Sequence, residues 1–389
     1  MVSSVKVLIG DESKNTEELI LSQADLSNSK ANFAVTKRRL HGGLRGGMEI
    51  IEVDNGRMKF WLLPERGMGI WKAWLDGMEI GWQSPVRGPV HPKYVSIHDE
   101  SGLGWLGGFD ELLCRCGLES NGAPEFDANG KLKYPLHGKI ANLPAYKVAA
   151  SVDSNKDGIR VEGSIEESRF KSQRLKLNST TTTKLASSDI IIRDIVTNTS
   201  DTSSEFQLLY HINFGAPFLE AGAEVFAPIK ALVPRSQRAE EGVNQWSKFS
   251  APEAGFQEQV YCMELLGDAA GQSQVLLQNA AGTLGVSVHF NLTQLPFFTL
   301  WKNTASMRDG YVTGLEPGTN FPNPRSYEQA QERVATLQPG ESREFDLRLE
   351  FHVDVTSIVK AKQKIAEYQS AQLPHIHQTM QAGWSIEAV

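Results

Sequence analysis

The chain has 389 residues, of which 40% are hydrophobic and 22% are charged, enough apolar material for one large domain or two ordinary ones. Its formal net charge of -7 excludes the basic footprint of a nucleic-acid-binding protein. No apolar run approaches the roughly 18 residues that a membrane helix needs, and the N-terminus lacks the apolar core of a signal peptide. Cys114, Cys116 and Cys262 are too few for a disulfide framework and lack a zinc-ligand spacing. We therefore expect a cytoplasmic protein with reduced thiols and no bound metal.

The predicted elements are mostly strands. A weak amphipathic pattern over Glu12–Leu26 predicts a short helix near the N-terminus. Residues 215–260, with scattered charges, Pro and Gly, predict long excursions from the sheets. Val355–Ser370 predicts a helix, and Pro374 follows its end. Runs rich in Val, Ile, Thr and aromatic residues, broken by Gly, Asn, Asp and Pro, predict strands at Met58–Leu63, Gly158–Ile165, Leu175–Leu185, Asp189–Thr197, Glu205–Phe214, Ser273–Leu277, Gly285–Leu292, Phe297–Trp301 and Arg343–Val353.

Many strands with helices only at the ends predict an all-β fold, a large antiparallel β-sandwich with short helices at the termini. We expect a single sandwich domain over residues 1–353, with an N-terminal extension of about residues 1–45. The C-terminal helix and tail, residues 354–389, are expected to pack on that domain as an outer element.

One predicted strand, Glu205–Phe214, carries a polar pair opposite an apolar stripe. Because side chains alternate faces along a strand, His211 and Asn213 project away from the core. The side of a sheet opposite the core faces either water or a ligand cleft. A histidine that is only exposed to solvent therefore remains the alternative interpretation of His211 at this point. The apolar stripe consists of Phe206, Leu208, Tyr210, Ile212 and Phe214.

Three other segments combine turn residues with polar side chains. Leu136-His137-Gly138 sets a histidine beside a glycine that permits close backbone approach. Gly107–Arg115 mixes glycines, two carboxylates and an arginine. Gly314–Pro324 is rich in Gly and Pro, with Glu316 near its start, and predicts a loop over the sheet.

Three of these segments resemble, in order, the signatures of the aldose 1-epimerase (galactose mutarotase) superfamily. They are Leu136-His137-Gly138, the strand end His211-x-Asn213-Phe214, and Leu315-Glu316-Pro317 followed by Asn320-Phe321-Pro322. The resemblance extends loosely over residues 45–353. The stretches Gly107–Gly117 and His137–Pro144 are closer to a less characterised branch of the superfamily than to the galactose enzymes.

The resemblance implies a cofactor-independent ring-opening reaction. Glu316 would act as the general base on the anomeric hydroxyl and His211 as the general acid on the ring oxygen, while His137 would hydrogen-bond the sugar. Histidine suits such a role because its unperturbed pKa lies near neutrality. Two nearby imidazoles would also favour the ionised form of Glu316.

Candidate sugar-binding residues carry hydrogen-bonding or aromatic groups. Arg66 and Arg115 each offer a fork of donors, with a structural salt bridge as the alternative for either one. The galactose enzymes carry a second substrate-binding carboxylate without a counterpart in Val225–Pro234, which weighs against galactose specificity. Asp110 is the candidate that would supply an acceptor instead.

Trp301 is a candidate platform for a sugar face, with a core tryptophan as the alternative, and Asn213 is a candidate substrate ligand beside His211. We expect an aldose 1-epimerase-like enzyme that interconverts anomers of a sugar or sugar acid. The alternatives are a non-catalytic carbohydrate-binding or regulatory protein, or an isomerase or lyase acting on an unusual sugar. The expected partner is a small carbohydrate, with no nucleic acid or membrane, and a homodimer is allowed.

Overall fold

The computed structural model describes residues 2–9, 18–25, 32–153 and 158–386. Within those residues, no helix has both the length and the apolar character needed to cross a membrane.

The described elements are predominantly strands. The strands are β1 Val2–Ile9, β2 Glu18–Ser22, β3 Ala34–Arg39, β4 Glu49–Asp54, β5 Met58–Leu63, β6 Gly69–Leu75, β7 Met78–Ile80, β8 Leu113–Leu118, β9 Glu125–Phe126, β10 Leu132–Tyr134, β11 Ala145–Asp153, β12 Gly158–Ser168, β13 Arg174–Lys184, β14 Asp189–Asn198, β15 Ser204–Phe214, β16 Glu224–Phe226, β17 Ile229–Pro234, β18 Gln259–Leu265, β19 Gln272–Gln278, β20 Gly285–Asn291, β21 Phe297–Asn303, β22 Val312–Gly318, β23 Ala335–Leu337, β24 Ser342–His352 and β25 His375–Ile376. The helices are α1 Gln237–Gly242, α2 Arg325–Ala330 and α3 Val355–Gln369, and short 3-10 turns include Gly104–Gly108.

Two large sheets form the sandwich. The nine-stranded sheet has the order β1-β11-β12-β13-β14-β24-β20-β19-β16. The fourteen-stranded sheet runs β2-β3-β4-β5-β6-β8-β15-β22-β21-β18-β17-β25, with β7 on β6 and β23 on β15. Strands pair antiparallel throughout the described residues, apart from β25 beside β17 and isolated bridges. The predicted all-β antiparallel sandwich is thus confirmed.

The apolar core lies between the sheets and takes one face of each strand. The predicted stripe on β15 is confirmed, because its five apolar side chains all belong to the main core cluster. β13 shows the same alternation, with Leu175 and Leu177 buried in that cluster. Burying a side chain of this size contributes roughly 1.5–3 kcal/mol. The other face of β15, which carries His211 and Asn213, is therefore not part of the core between the sheets.

The N-terminal helix prediction is wrong for the residues that the structure describes. Glu18–Ser22 is strand β2, paired with β3, and Gln23–Asp25 is a single 3-10 turn. Residues 12–17 and 26 lie outside the described part. The burial of two neighbouring residues suits an edge strand, since Leu21 is buried in the core cluster and Ile20 is only partly buried. The N-terminal extension thus adds edge strands to the sheets.

The long excursion predicted over residues 215–260 is only partly correct. This stretch contains β16, which joins the nine-stranded sheet, and β17, which joins the fourteen-stranded sheet. Helix α1 follows β17, and the Ser236 side chain caps it by accepting a hydrogen bond from the Ala239 N–H. The scattered charges of this stretch suggested a loop, although the short run that ends at Pro234 is buried and forms a strand.

The C-terminal helix is confirmed, with α3 ending one residue before the predicted boundary. Asp354 caps its N-terminus by accepting from the Ser357 N–H at 2.9 Å. Ile358 and Ile365 pack against Leu276 of β19. Beyond α3, the tail pairs with β17 through β25, and the Ser385 Oγ donates to the carbonyl of Arg235.

A buried ion pair joins the two sheets. Arg115 on β8 pairs with Asp194 on β14, and both side chains have 0% exposure. Arg115 also donates to the Met68 carbonyl at 2.8 Å and to the Ser179 hydroxyl at 2.8 Å, while the Tyr210 hydroxyl donates to Asp194 at 2.8 Å. The interpretation of Arg115 as a sugar ligand is therefore wrong, because its donors are used inside the core.

We expect Arg115→Met to lower the free energy of unfolding by about 3–5 kcal/mol, because Asp194 would be left as an uncompensated buried charge. Urea denaturation measures this loss. Arg160→Met is the matched control, since Arg160 and Glu162 form an exposed pair worth about 1 kcal/mol or less. Equal losses in the two variants would contradict the assignment.

Candidate functional site

The register of two central strands brings a histidine and a carboxylate together. In the antiparallel pair of β15 and β22, Ile212 lies opposite Leu315, so His211 lies opposite Glu316. On its other side, Glu316 is paired with Thr299 of β21. Directly opposed residues share a face of the sheet, so His211, Glu316 and Thr299 form one row on the face away from the core.

Glu316 therefore lies within a strand, and the prediction of a loop at this position is wrong. Along β22, the residues Gly314, Glu316 and Gly318 alternate onto the face that bears His211. Glycine at 314 leaves space beside the pair: a Cβ atom there would overlap Glu316 Oε1 and lie 3.2 Å from His211 Cε1. The glycine thus makes room for the pair.

Asn213 fixes the orientation of His211. The Asn213 Nδ2 donates to the Glu111 carbonyl at 2.9 Å, so its Oδ1 faces His211 Nδ1 at 2.6 Å. Nδ1 must then carry the hydrogen, which directs Nε2 toward Glu316. Asn213 has 0% exposure behind the imidazole. Its prediction as a substrate ligand is wrong, and the residue positions His211 instead.

Burial governs the protonation of this pair. His211 Nε2 and Glu316 Oε1 are 3.2 Å apart but are not aligned for a hydrogen bond. Desolvation lowers the pKa of His211 well below its ordinary value and raises the pKa of Glu316 well above its own. The expectation that imidazoles favour ionised Glu316 is therefore wrong: burial also lowers the pKa of His137, to about 4, so both rings are neutral and supply no positive charge.

The pair lies at the bottom of a cavity of about 280 Å³. Aromatic rings form its walls: Phe109 lies 5.1 Å and Trp301 lies 5.4 Å from the ring of His211, centroid to centroid. The 3-10 turn at Gly104–Gly108 adds Trp105, 4.7 Å from Phe109. Ligand sites typically combine apolar walls with a few polar groups, and this volume is close to the ~300 Å³ lower end of such sites.

His137 enters the cavity from a loop. Its backbone has a φ of 56°, and its Nδ1 lies 3.0 Å from the Asn121 carbonyl. The ring contacts Trp105 at 4.6 Å and lies 5.4 Å from His211, centroid to centroid. The neutral ring donates from Nδ1 and leaves Nε2 as an acceptor. Of the predicted substrate ligands, His137 and Trp301 line the cavity with His211 and Glu316.

Trp301 lines the cavity rather than the core between the sheets. It is half-buried, and its Nε1 donates to Glu258 Oε2 at 2.6 Å. Glu258 is exposed at the cavity rim and was not recognised from the sequence. Its position beside a tryptophan on the next strand becomes apparent only once β18 and β21 are paired.

Arg66 and Asp110 do not line the cavity, so their predicted role as substrate ligands is wrong. Arg66 has a fully buried side chain that pairs with Glu111 and donates to the Gly108 carbonyl at 3.0 Å. Asp110 accepts from Trp71 Nε1 at 2.8 Å, and burial raises its pKa to about 7. Both residues anchor the segment that carries Trp105 and Phe109.

Several buried polar atoms of the cavity are unsatisfied. Trp105 Nε1, Arg235 Nε and Glu316 Oε1 make no hydrogen bond to any described residue. Buried polar groups are normally paired, so unpaired groups that converge on one cavity indicate a ligand site. Arg235 was missed in the sequence because nothing distinguishes it from a surface arginine, except that it directly follows the buried run Leu232-Val233-Pro234.

Other parts of the molecule fit a site less well. A larger groove of about 1030 Å³ over Lys131 and Arg169 is lined mainly by charged side chains, including the paired Lys139 and Glu119. Within the described residues, no three His, Cys, Asp or Glu side chains are grouped to hold a metal ion.

Comparisons with known proteins agree with this architecture. A family model described as a domain of unknown function, DUF4432, matches residues 45–351. A solved structure from Klebsiella pneumoniae, provisionally named an aldose 1-epimerase, is 34% identical over 97% of this chain and 98% of that chain, with a TM-score of 0.93. No curated protein matches the chain.

Two more distant structures show the fold alone. A galactose mutarotase-like protein from Clostridium acetobutylicum is 16% identical over 79% of this chain and 96% of that chain, with a TM-score of 0.55. A galactose 1-epimerase from Lactobacillus acidophilus is 14% identical over 82% and 99%, with a TM-score of 0.53.

The two-sheet architecture is that of the galactose mutarotase-like superfamily, in which aldose 1-epimerases are found. Within that superfamily the chain belongs to the DUF4432 family, one of its less characterised branches.

We expect wild-type stability to fall as the pH drops from about 6.5 to about 4, in part because of His137. Its folded pKa of about 4 lies below the unfolded value of 6.5, so the unfolded state binds the proton first and gains up to about 3 kcal/mol. His137→Asn should flatten this dependence in urea denaturation, whereas His375→Asn at an exposed position should not. An unchanged slope in His137→Asn would contradict the burial argument.

We expect Gly314→Ala to lower the free energy of unfolding by about 1–3 kcal/mol, because the new methyl group overlaps Glu316. In a Glu316→Ala background the same substitution should cost much less, since the overlapping carboxyl is gone. Gly107→Ala is the control, because a Cβ there has no neighbour within 4 Å. Equal costs in both backgrounds would show that residue 314 is unrelated to the pair.

Proposed function

We propose that the protein is a cofactor-independent aldose 1-epimerase, which interconverts the anomers of a sugar by acid–base ring opening. The observation that carries the proposal is the opposition of His211 and Glu316 across β15 and β22, at the bottom of an aromatic cavity. The cavity suits a single sugar ring, because tryptophan and phenylalanine faces pack against its C–H groups.

The reaction needs one proton acceptor and one proton donor. Glu316 removes the proton of the anomeric hydroxyl while His211 Nε2 delivers a proton to the ring oxygen, and the bond between the anomeric carbon and the ring oxygen breaks. The resulting aldehyde rotates about its bond to the adjacent carbon. The reverse proton transfers close the ring on the opposite face, so the enzyme returns to its starting state.

Asn213 makes His211 suitable for this role. Because its Oδ1 accepts the Nδ1 hydrogen at 2.6 Å, proton exchange takes place at Nε2, the atom directed toward Glu316. A hydrogen bond that fixes the tautomer and ring orientation of a histidine is common in acid–base sites. Asn213 acts through His211 and does not need to touch the sugar.

Burial and Arg235 act in opposite directions on the proton balance. Burial favours the neutral pair, with the shared proton on Glu316, so this proton must pass to His211 Nε2 before ring opening; once the ring has opened, Glu316 carries a proton again and both residues are neutral. Desolvation favours the neutral pair and thus the ring-opened stage. The negative charge of Glu258 acts in the same direction as desolvation, whereas the positive charge of Arg235 lowers the pKa of Glu316 and favours the charged pair. Arg235 thus offsets part of the free energy by which burial and Glu258 disfavour the charged pair.

A non-catalytic carbohydrate-binding protein is the main alternative. Binding alone would be served by hydrogen bonds and aromatic packing, and it does not call for an oriented imidazole beside a buried carboxyl. The cost of burying both groups favours the enzyme, because protein sites with strongly shifted pKa values are frequently catalytic.

We expect Glu316→Gln to lower the rate of anomer interconversion by about 10²–10⁴-fold, because the amide cannot accept the hydroxyl proton. Polarimetry or NMR on freshly dissolved aldoses and uronates measures the rate. Sugar binding should be largely retained, since the amide is nearly the same shape as the carboxyl group.

The double variant His211→Ala/Glu316→Gln supplies the background rate, and thermal unfolding checks that each variant is folded. If the wild type interconverts no sugar faster than this double variant, the epimerase assignment fails. Unfolding of Glu316→Gln would instead identify a structural carboxyl group.

A further inference from the structure

Arg235 is held by its backbone at the cavity, while its side chain remains without a protein partner. The Arg235 N–H donates to the Val260 carbonyl at 2.9 Å, which continues the ladder between β17 and β18 by one residue. Val260 in turn pairs with Trp301, so Arg235, Val260 and Trp301 lie in one row on the cavity face. The Ser385 hydroxyl donates to the Arg235 carbonyl at 3.3 Å. The backbone is therefore fixed on both sides.

The guanidinium of Arg235 makes no ion pair and no hydrogen bond to the residues that the structure describes, and its Nε is fully buried. Other arginines with buried or half-buried side chains contrast with it. Arg66 pairs with Glu111, Arg115 with Asp194, and the half-buried Arg333 with Glu328. Arg235 as a whole is half-buried, but its buried Nε–H has no acceptor, and such a donor is costly, so a ligand that provides an acceptor gains free energy on binding.

The charges around the cavity leave Arg235 as the cation that faces the ligand. It is the one Arg or Lys among the described residues that line the cavity. Glu258 carries the opposing charge, but it is exposed at the rim and already accepts from Trp301 at 2.6 Å. The charge of Glu258 acts on Glu316 more strongly than that of Arg235, but a carboxylate cannot donate to an anionic ligand, whereas the unpaired Arg235 Nε–H can.

We propose that the natural substrate is a sugar acid, an aldose of the uronate type, whose carboxylate binds the guanidinium of Arg235. The inference rests on the proposed function, because it names the substrate class of that same site. A planar monoanion matches the two parallel donors of a guanidinium. A phosphate ester would bring close to two negative charges to a cavity with a single lining cation, which favours the carboxylate.

The test compares sugars that differ only at the sixth carbon: glucuronate with glucose, and galacturonate with galactose. Anomer interconversion is followed by NMR for the wild type, Arg235→Gln and Arg235→Lys. We expect a higher kcat/KM for the uronate of each pair. Arg235→Gln should reduce kcat/KM for the uronate about tenfold or more beyond any reduction for the matched neutral sugar, because charge-assisted hydrogen bonds are lost. The kcat/KM of Arg235→Lys for the uronate should lie between the values of the wild type and Arg235→Gln.

Lys230→Gln is the matched control, since Lys230 lies on β17, the strand that Arg235 directly follows, but is exposed and paired with Glu264. It removes the same charge from the protein, and the preference for uronates should persist. Glucose 6-phosphate tests the alternative anion. A larger kcat/KM for the phosphate than for glucuronate would overturn the carboxylate assignment.

Binding is measured separately by calorimetry and by the thermal shift with glucuronate and galacturonate, which should stabilise the wild type but not Arg235→Gln. Uronate binding that depends on Arg235, without interconversion of any sugar, would support this inference while the epimerase proposal fails. Interconversion in which neutral sugars react as well as uronates, with equal losses in Arg235→Gln, would overturn this inference while the epimerase proposal stands.

Discussion

The site depends on one constraint: the antiparallel register between β15 and β22 that sets His211 opposite Glu316. A shift of one residue would turn Glu316 into the core and bring Leu315 to the cavity, because strand side chains alternate. The apolar side chains on the inner face lock this register. The geometry of the acid–base pair is therefore maintained by the same hydrophobic packing that holds the sandwich together.

β15 contributes one face to the core between the sheets and the other face to the cavity. On its inner face, Tyr210 completes the buried network of Arg115 and Asp194 that joins the sheets. On its outer face, Asn213 orients His211. The polar groups of this inner network all have protein partners, whereas the outer face keeps unpaired atoms that line the cavity. This difference separates structural polar groups from those available to a ligand.

Strand alternation in the sequence was sufficient to predict the sandwich and the outward direction of His211, because the apolar stripe of β15 is complete. The same rule applied to Gly314-x-Glu316-x-Gly318 would have placed Glu316 in a strand, but Gly and Pro are poor strand formers, and they suggested a loop. Strand alternation could not distinguish an arginine that faces the cavity from one that forms a buried ion pair. Whether Arg115 or Arg235 faces the cavity depends on partners that are far away in the chain, such as Asp194. The local sequence around each arginine does not indicate these partners.

The attachment of the tail to β17 has a consequence for how the cavity forms. The bond from Ser385 to Arg235 spans 150 residues, and the paired amides of Asn121 and Asn320 span 199. Contacts at such separations carry a large loop-closure entropy and form slowly. We therefore expect the cavity to form late in folding, after both sheets have closed, so that a chain with native-like strand content can still lack it.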